Sequence, residues 1–217
     1  MDLTTNKLLI MRILLDFGHG ADDYTKGKYS PPIESEDKTV YKGRFREGNF
    51  NRIVGNEIAK RLKELGYQVD IIVTEDKDIS LQERVARVNK ICAKYGAKNC
   101  ILVSVHANAA GSGSAWANAR GCCVYVARKS SQMSKDLAKY IYNAADVTGF
   151  KGNRAVPKER YWSADFYIIK NTKCPAVLTE NLFYDNKEDL AILMSEEGRK
   201  KIVDYHIAGI LNFLSKK

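Results

Sequence analysis

The chain has 217 residues, 45% hydrophobic and 28% charged, which suits one well-buried domain and excludes disordered, low-complexity and repeat architectures. No apolar stretch is long enough to span a bilayer. The formal net charge of +9 favours an anionic partner such as a nucleic acid, a membrane surface or a cell-wall polymer, but no Lys/Arg tract with interleaved aromatics singles out nucleic acid.

Residues 1–7 lack a basic head, and the apolar run 8–15 is broken by Arg12, ends at Asp16 and has no small-residue cleavage site. The run reads as a strand rather than a signal peptide. It leads into Asp16-Phe17-Gly18-His19-Gly20, a glycine-flanked turn that sets His19 at a strand's carboxyl end. Residues 21–46 are polar, contain Pro31-Pro32 and hold no steady period, which predicts a long surface loop with room for a hairpin.

From Glu47, the residues Val54, Ile58, Leu62 and Leu65 recur at helical spacing, and Gly66 follows as a stop signal. Glu47 heads that core-facing stripe, where an unpaired carboxylate would cost several kcal/mol, so it requires a basic side chain or a metal as partner. Residues 67–74 read as a strand. Residues 80–94 read as a helix with Leu81, Val85, Val88, Ile91 and Cys92 on one side, and residues 100–105 as a buried strand ending at His106. This alternation is the pattern of a parallel sheet covered by helices.

A Gly/Ser/Ala/Asn-rich loop (109–120) precedes a strand at 121–127 and a helix at 131–145. Residues 149–163 read as a basic, aromatic loop before the apolar run 166–169. A short strand at 176–179 stops at Glu180-Asn181, and a helix from about 195 to 214 closes the chain with Val203, Ile207, Ile210 and Leu214 inward. The predicted fold is a single α/β domain over residues 1–217, with a mostly parallel twisted sheet, helices on both faces and no separate binding domain.

His19 and His106 therefore share the carboxyl edge of one sheet, where open α/β sheets place their ligands. With Glu47 they form the His/carboxylate set of a catalytic zinc site, which leaves a position for water. Such a metal acidifies water and polarises a carbonyl. A second carboxylate must then move the proton, and Glu180 at the end of its own strand is placed to do so. His206, beside the stripe of the last helix, reads as a packed histidine. The odd count of five cysteines, with no C-x-x-C pair, reads as buried free thiols. Asp16-Phe17-Gly18 also spells the kinase magnesium motif, but no catalytic or glycine-rich phosphate loop accompanies it.

Five segments in register resemble the zinc-dependent N-acetylmuramoyl-L-alanine amidases of bacteria and phages. They are Asp16-Phe17-Gly18-His19-Gly20, Glu47-x-x-x-Asn51, Ser80-Leu81-x-x-Arg84 with Asn89, Ser104-Val105-His106-Ala107-Asn108, and Pro175-Ala176-Val177-Leu178-Thr179-Glu180. The resemblance implies zinc held by His19, Glu47 and His106, and a catalytic Glu180. It implies cleavage of the amide between the muramoyl lactyl group and the L-alanine that starts the peptide stem of peptidoglycan.

The chain departs from the family pattern at Phe17, Thr74-Glu75 and Leu182, the last standing where a glycine is frequent. Glu75 and Leu182 are thus candidates for shaping the groove, as is the enlarged loop 21–46 for specificity. Asn108, Arg154 and Asn181 are outlying candidates for substrate contact. The resemblance places the activity at the cell wall, reached by a secreted enzyme whose leader has been removed or by a phage lysin released at lysis. A wall-binding module without hydrolysis and a zinc carboxypeptidase are the competing readings, and oligomeric state is left open.

Overall fold

A computed structural model describes residues 11–216. The segment 1–7, read as lacking a leader, and the first part of the apolar run 8–15 lie outside the described residues.

Six strands form the central sheet: β1 (Arg12–Phe17), β4 (Val69–Ile71), β5 (Cys100–Asn108), β6 (Cys123–Val126), β7 (Trp162–Ser163) and β8 (Ala176–Phe183), in the order β4-β1-β5-β8-β6-β7. β4, β1, β5 and β8 run parallel, while β6 pairs antiparallel with β8 and parallel with β7. The fold is α/β with a mostly parallel sheet, as predicted. The central strands read as nearly unbroken apolar runs because both faces are covered: Ile13, Leu14 and Leu15 of β1 and Ile101, Leu102 and Val103 of β5 are all fully buried.

Six helices cover the sheet: α1 (Glu47–Glu64), α2 (Leu81–Tyr95), α3 (Gln132–Val147), α4 (Tyr167–Lys170), α5 (Lys187–Met194) and α6 (Glu196–Leu214). One core packs Val54, Ile58 and Leu62 of α1 with Ile141 of α3 and Ile210 of α6 against Ile13, Val103 and Val177. The other packs Val85, Val88 and Cys92 of α2 with Ile168 of α4 against Leu14, Leu102 and Leu178. Ser80 caps α2 by accepting from the Glu83 amide, and Gly66 follows α1 at φ +88°, the left-handed stop that glycine permits at low cost.

The predicted loop 21–46 folds back as a hairpin of β2 (Val40–Tyr41) and β3 (Arg44–Phe45), and Ser30, Thr39 and Phe45 bury their side chains beneath it. It is therefore a packed segment as well as a surface one. Several expectations need correction. Leu65 is 57% and Leu81 47% exposed, because each sits at a helix end beyond the reach of the sheet. Trp162–Ser163 adds an edge strand within the segment read as loop. β8 continues through Glu180 to Phe183, where the edge of β5 extends far enough to pair with it.

All five cysteines are free and buried. No helix among the described residues is long and apolar enough to cross a membrane.

Candidate metal centre

The turn after β1 is built backwards from its carbonyls. The Phe17 carbonyl accepts from Arg84 Nη1 at 2.6 Å, Gly18 from Asn51 Nδ2 at 2.9 Å, and His19 from Arg52 Nη1 at 2.9 Å. Arg84 itself is buried against Asp16 at 2.8 Å, whose second oxygen accepts from Ser104 Oγ at 2.6 Å. Three helix residues and one strand pair thus hold a loop whose His19 sits at φ +62°. That left-handed conformation costs a non-glycine residue on the order of 1–2 kcal/mol, and the clamped carbonyls maintain it.

Two glycines bring the elements together. A Cβ on Gly18 would lie 2.0 Å from the His106 ring, and one on Gly48 would lie 1.8 Å from the Gly20 carbonyl. Without a side chain at Gly18 the His106 imidazole lies against the turn, and without one at Gly48 the first turn of α1 carries Glu47 up to His19.

His106 Nδ1 lies 2.9 Å from Glu47 Oε1, and His19 Nε2 lies 3.4 Å from Glu47 Oε2. The two rings meet edge to face with centroids 5.0 Å apart. One ligand atom from each of the three residues falls within 4.8 Å of the others, so the set can hold a metal ion. Tetrahedral zinc with ligand bonds near 2.0–2.1 Å separates adjacent ligand atoms by about 3.3 Å, close to the spacings found here. Glu47 is 1% exposed, yet its Oε2 has no hydrogen-bond partner. A buried acceptor of this kind is costly unless a cation completes its shell.

Burial favours an uncharged Glu47, but the imidazoles of His19 and His106 and the Lys28 ammonium outweigh it and hold the carboxyl down to about 2. Burial lowers His19 to about 4, leaving its imidazole neutral and available as a ligand at neutral pH. His106 is raised: burial opposes its charge, and the hydrogen bond and charge of Glu47 prevail.

Glu180 joins this group across the sheet. It is the register partner of His106 on the neighbouring strand, and the next pairing is Asn108 with Phe183. Asn181 and Leu182 therefore face the single residue Ala107, a bulge of the kind that re-aims side chains beside functional sites. Leu182 takes φ +65° there, which accounts physically for a glycine being ordinary at this position. Glu180 Oε2 is also buried without a partner, and burial pushes its carboxyl up to about 7. A cleft of about 390 Å³ lined by Asp16, His19, Asp78, Leu81, Arg84 and His106 opens beside the turn.

The structure places the outlying candidates differently. Asn181 is fully buried; it donates to the His106 carbonyl at 2.6 Å and accepts from the Tyr205 hydroxyl, so it supports the strand from inside. Leu182 is 1% exposed in the core, and the Glu75 carboxylate is taken by Arg87 at 2.7 Å; neither lines the groove. His206 is buried between Thr179 and the Ile202 carbonyl. Lys28 was missed: its Nζ lies 3.8 Å from Glu47 Oε2, a position that only the folding of loop 21–46 reveals.

A family model of N-acetylmuramoyl-L-alanine amidases matches residues 13–212. The endolysin of Bacillus phage SPP1 is 30% identical over 210 residues, covering 94% of this chain and 66% of that longer protein. Among solved structures, the catalytic domain of the amidase CwlV from Bacillus (Paenibacillus) polymyxa superposes with a TM-score of 0.71 at 25% identity, covering 96% of this chain and all of that one. The amidase Ami1 of Mycobacterium smegmatis superposes at 0.76 with 22% identity, covering 95% and 98%. Agreement of a motif-bearing site, a sheet order and a match over nearly the whole length has one reading: this chain belongs to the N-acetylmuramoyl-L-alanine amidase family.

Proposed function

We propose that the protein is a zinc-dependent N-acetylmuramoyl-L-alanine amidase. In this reading it hydrolyses the peptidoglycan amide between the muramoyl lactyl group and L-alanine, with residues 1–217 forming one catalytic domain. The observation that carries the reading is the convergence of His19, Glu47 and His106 around a buried carboxylate oxygen that has no hydrogen-bond partner. The nitrogen and oxygen donors suit zinc, which His19, Glu47 and His106 would hold. Zinc bound there supplies Lewis acidity to water and to the scissile carbonyl.

The remaining work falls to Glu180. Its carboxyl, raised to about 7 by burial, is matched to accept a proton from water and return it to the leaving amine of L-alanine near neutral pH. Its Oε2 forms no hydrogen bond that would compete for that proton. The bulge at Asn181 and Leu182 sets the direction of the side chain, and the Asn181 bond to the His106 carbonyl keeps the two strands in register. The surplus positive charge of +9 draws the enzyme toward anionic wall polymers, and its place of action is the cell wall.

Metal analysis and stripping test the proposal. Purified protein should hold one zinc ion per chain, lose wall hydrolysis on chelation and recover it on zinc addition. Full hydrolysis by demonstrably metal-free protein would overturn the metal assignment.

A further inference from the structure

Arg154 stands near enough to Glu180 for its charge to oppose the upward shift of that carboxyl, yet it closes no salt bridge among the described residues. Its Nη1 donates to Cys123 Sγ at 3.0 Å, it reaches the Tyr125 hydroxyl, and its guanidinium carbon stands 5.8 Å from the Trp162 ring centre and 5.6 Å from that of Phe183. Cys123 is the register partner of Glu180 across the antiparallel pair, so the anchoring thiol and the Glu180 side chain leave the sheet on the same face, with Cβ atoms about 5 Å apart.

Most other buried or partly buried arginines are matched to carboxylates, among them Arg84 to Asp16, Arg87 to Glu75, Arg160 to Asp146 and Arg199 to Asp37, while Arg44 is satisfied by the Ser30 and Gly113 carbonyls. Arg154 forms no such pair among the described residues. The thiol that accepts from it is pushed up to about 11 by burial, hence a neutral group and a weak acceptor. A half-buried guanidinium whose fork is oriented by two rings, but left without a hydrogen-bonded carboxylate, is prepared for one brought by a ligand.

We infer that Arg154 is a specificity-determining residue that pairs with a free carboxylate on the peptide side of the scissile amide. The inference rests on the amidase reading, which decides the source of that group. The only carboxyl of the muramoyl unit is consumed in the amide to be cut, so a carboxylate beside Glu180 must come from the stem peptide. The nearest is the α-carboxylate of the residue that follows L-alanine, when that residue is D-isoglutamate and not its amide.

Two measurements test this. Calorimetric titration of the zinc-loaded protein with the γ-methylamides of L-alanyl-D-isoglutamate and of L-alanyl-D-isoglutamine, whose γ-carboxyl is blocked as it is in the stem, should show about 10- to 100-fold tighter binding of the α-acid, the range expected for a charge-assisted pair. Equal binding by the wild type overturns the inference without recourse to any variant. In turnover of the corresponding N-acetylmuramoyl dipeptides, Arg154→Gln should raise KM for the acid about 10- to 100-fold, erase the discrimination and leave its mark in KM and not kcat, with Arg154→Lys restoring part of the preference. An equal fall in kcat on both substrates would assign Arg154 to the reacting centre and overturn the inference. Preference for the acid dipeptide in a protein that releases no peptide from walls would sink the amidase reading and leave the carboxylate site standing.

Discussion

Replacing Glu180 with glutamine should stabilise the metal-free protein while removing its activity. In the fold the Glu180 carboxyl is raised from an ordinary value of 4.5 to about 7, because burial opposes its charge and no donor reaches Oε2. A group whose folded pKa lies above its unfolded one contributes stability that is fully present below the unfolded value and is lost as pH rises through the folded one. The wild type therefore loses stability between pH 4.5 and 7, and glutamine, which never ionises, does not. The shift of two to three units amounts to about 3 kcal/mol at pH 8, or roughly 6–12 °C in melting temperature for a domain of this size.

The assay is thermal or urea unfolding of both proteins in chelator from pH 4 to 8. Reading the difference against pH removes any constant offset from the new amide group. The gap should be flat below pH 4.5, widen to about pH 7 and level off by pH 8. With zinc restored, the same variant should keep its metal and lose about 10²- to 10⁴-fold in turnover. A gap independent of pH would show that Glu180 does not carry a raised pKa, and retained turnover would remove it from the mechanism.

Gly18→Ala tests the close approach of His106. The added methyl would lie 2.0 Å from the ring, so the imidazole must move, and zinc affinity should fall about 10- to 100-fold with little loss of helix content; unchanged affinity in a competition titration would contradict the packing described. Arg84→Met strands Asp16 in the core and should cost about 3–5 kcal/mol, read from urea midpoints, whereas a loss under 1 kcal/mol would mean that the buried pair contributes little. Zinc binding near pH 6.5 should release a proton, because Glu47 raises the His106 pKa in the metal-free protein and the proton must leave for the nitrogen to coordinate. Calorimetry in two buffers of different ionisation enthalpy reads that proton, and affinity should climb with pH until His106 is deprotonated.

Much of this site was legible in the chain. His19 and His106 end runs of residues that have no reason to be polar, and Glu47 begins a stripe of which Val54, Ile58 and Leu62 are buried and only Leu65, at the helix end, is exposed. Arg84 and Asn51 showed themselves as motif residues, and the fold supplies their task, the clamping of the turn carbonyls. What stayed hidden depends on pairing between distant segments. The bulge exists only because β8 gains two residues where β5 has one, so periodicity within 176–183 could not disclose it. Leu182 looked like a groove residue and turned out to be a core residue at positive φ. Lys28 lies in a segment without periodicity, and its neighbour Glu47 is 19 residues away in sequence, so no local signal marks it; Arg154 is a candidate contact in the sequence, but its anchorage on Cys123, 31 residues away, shows only in the fold.

Mass spectrometry of the products released from purified peptidoglycan, with and without chelator, tests the central claim most directly. The account predicts stem peptides with a free L-alanine amino terminus, glycan strands bearing the lactyl carboxylate, and neither product once zinc is removed. Release of single carboxyl-terminal amino acids in place of whole stems, or stem release that persists in metal-free protein, would contradict it.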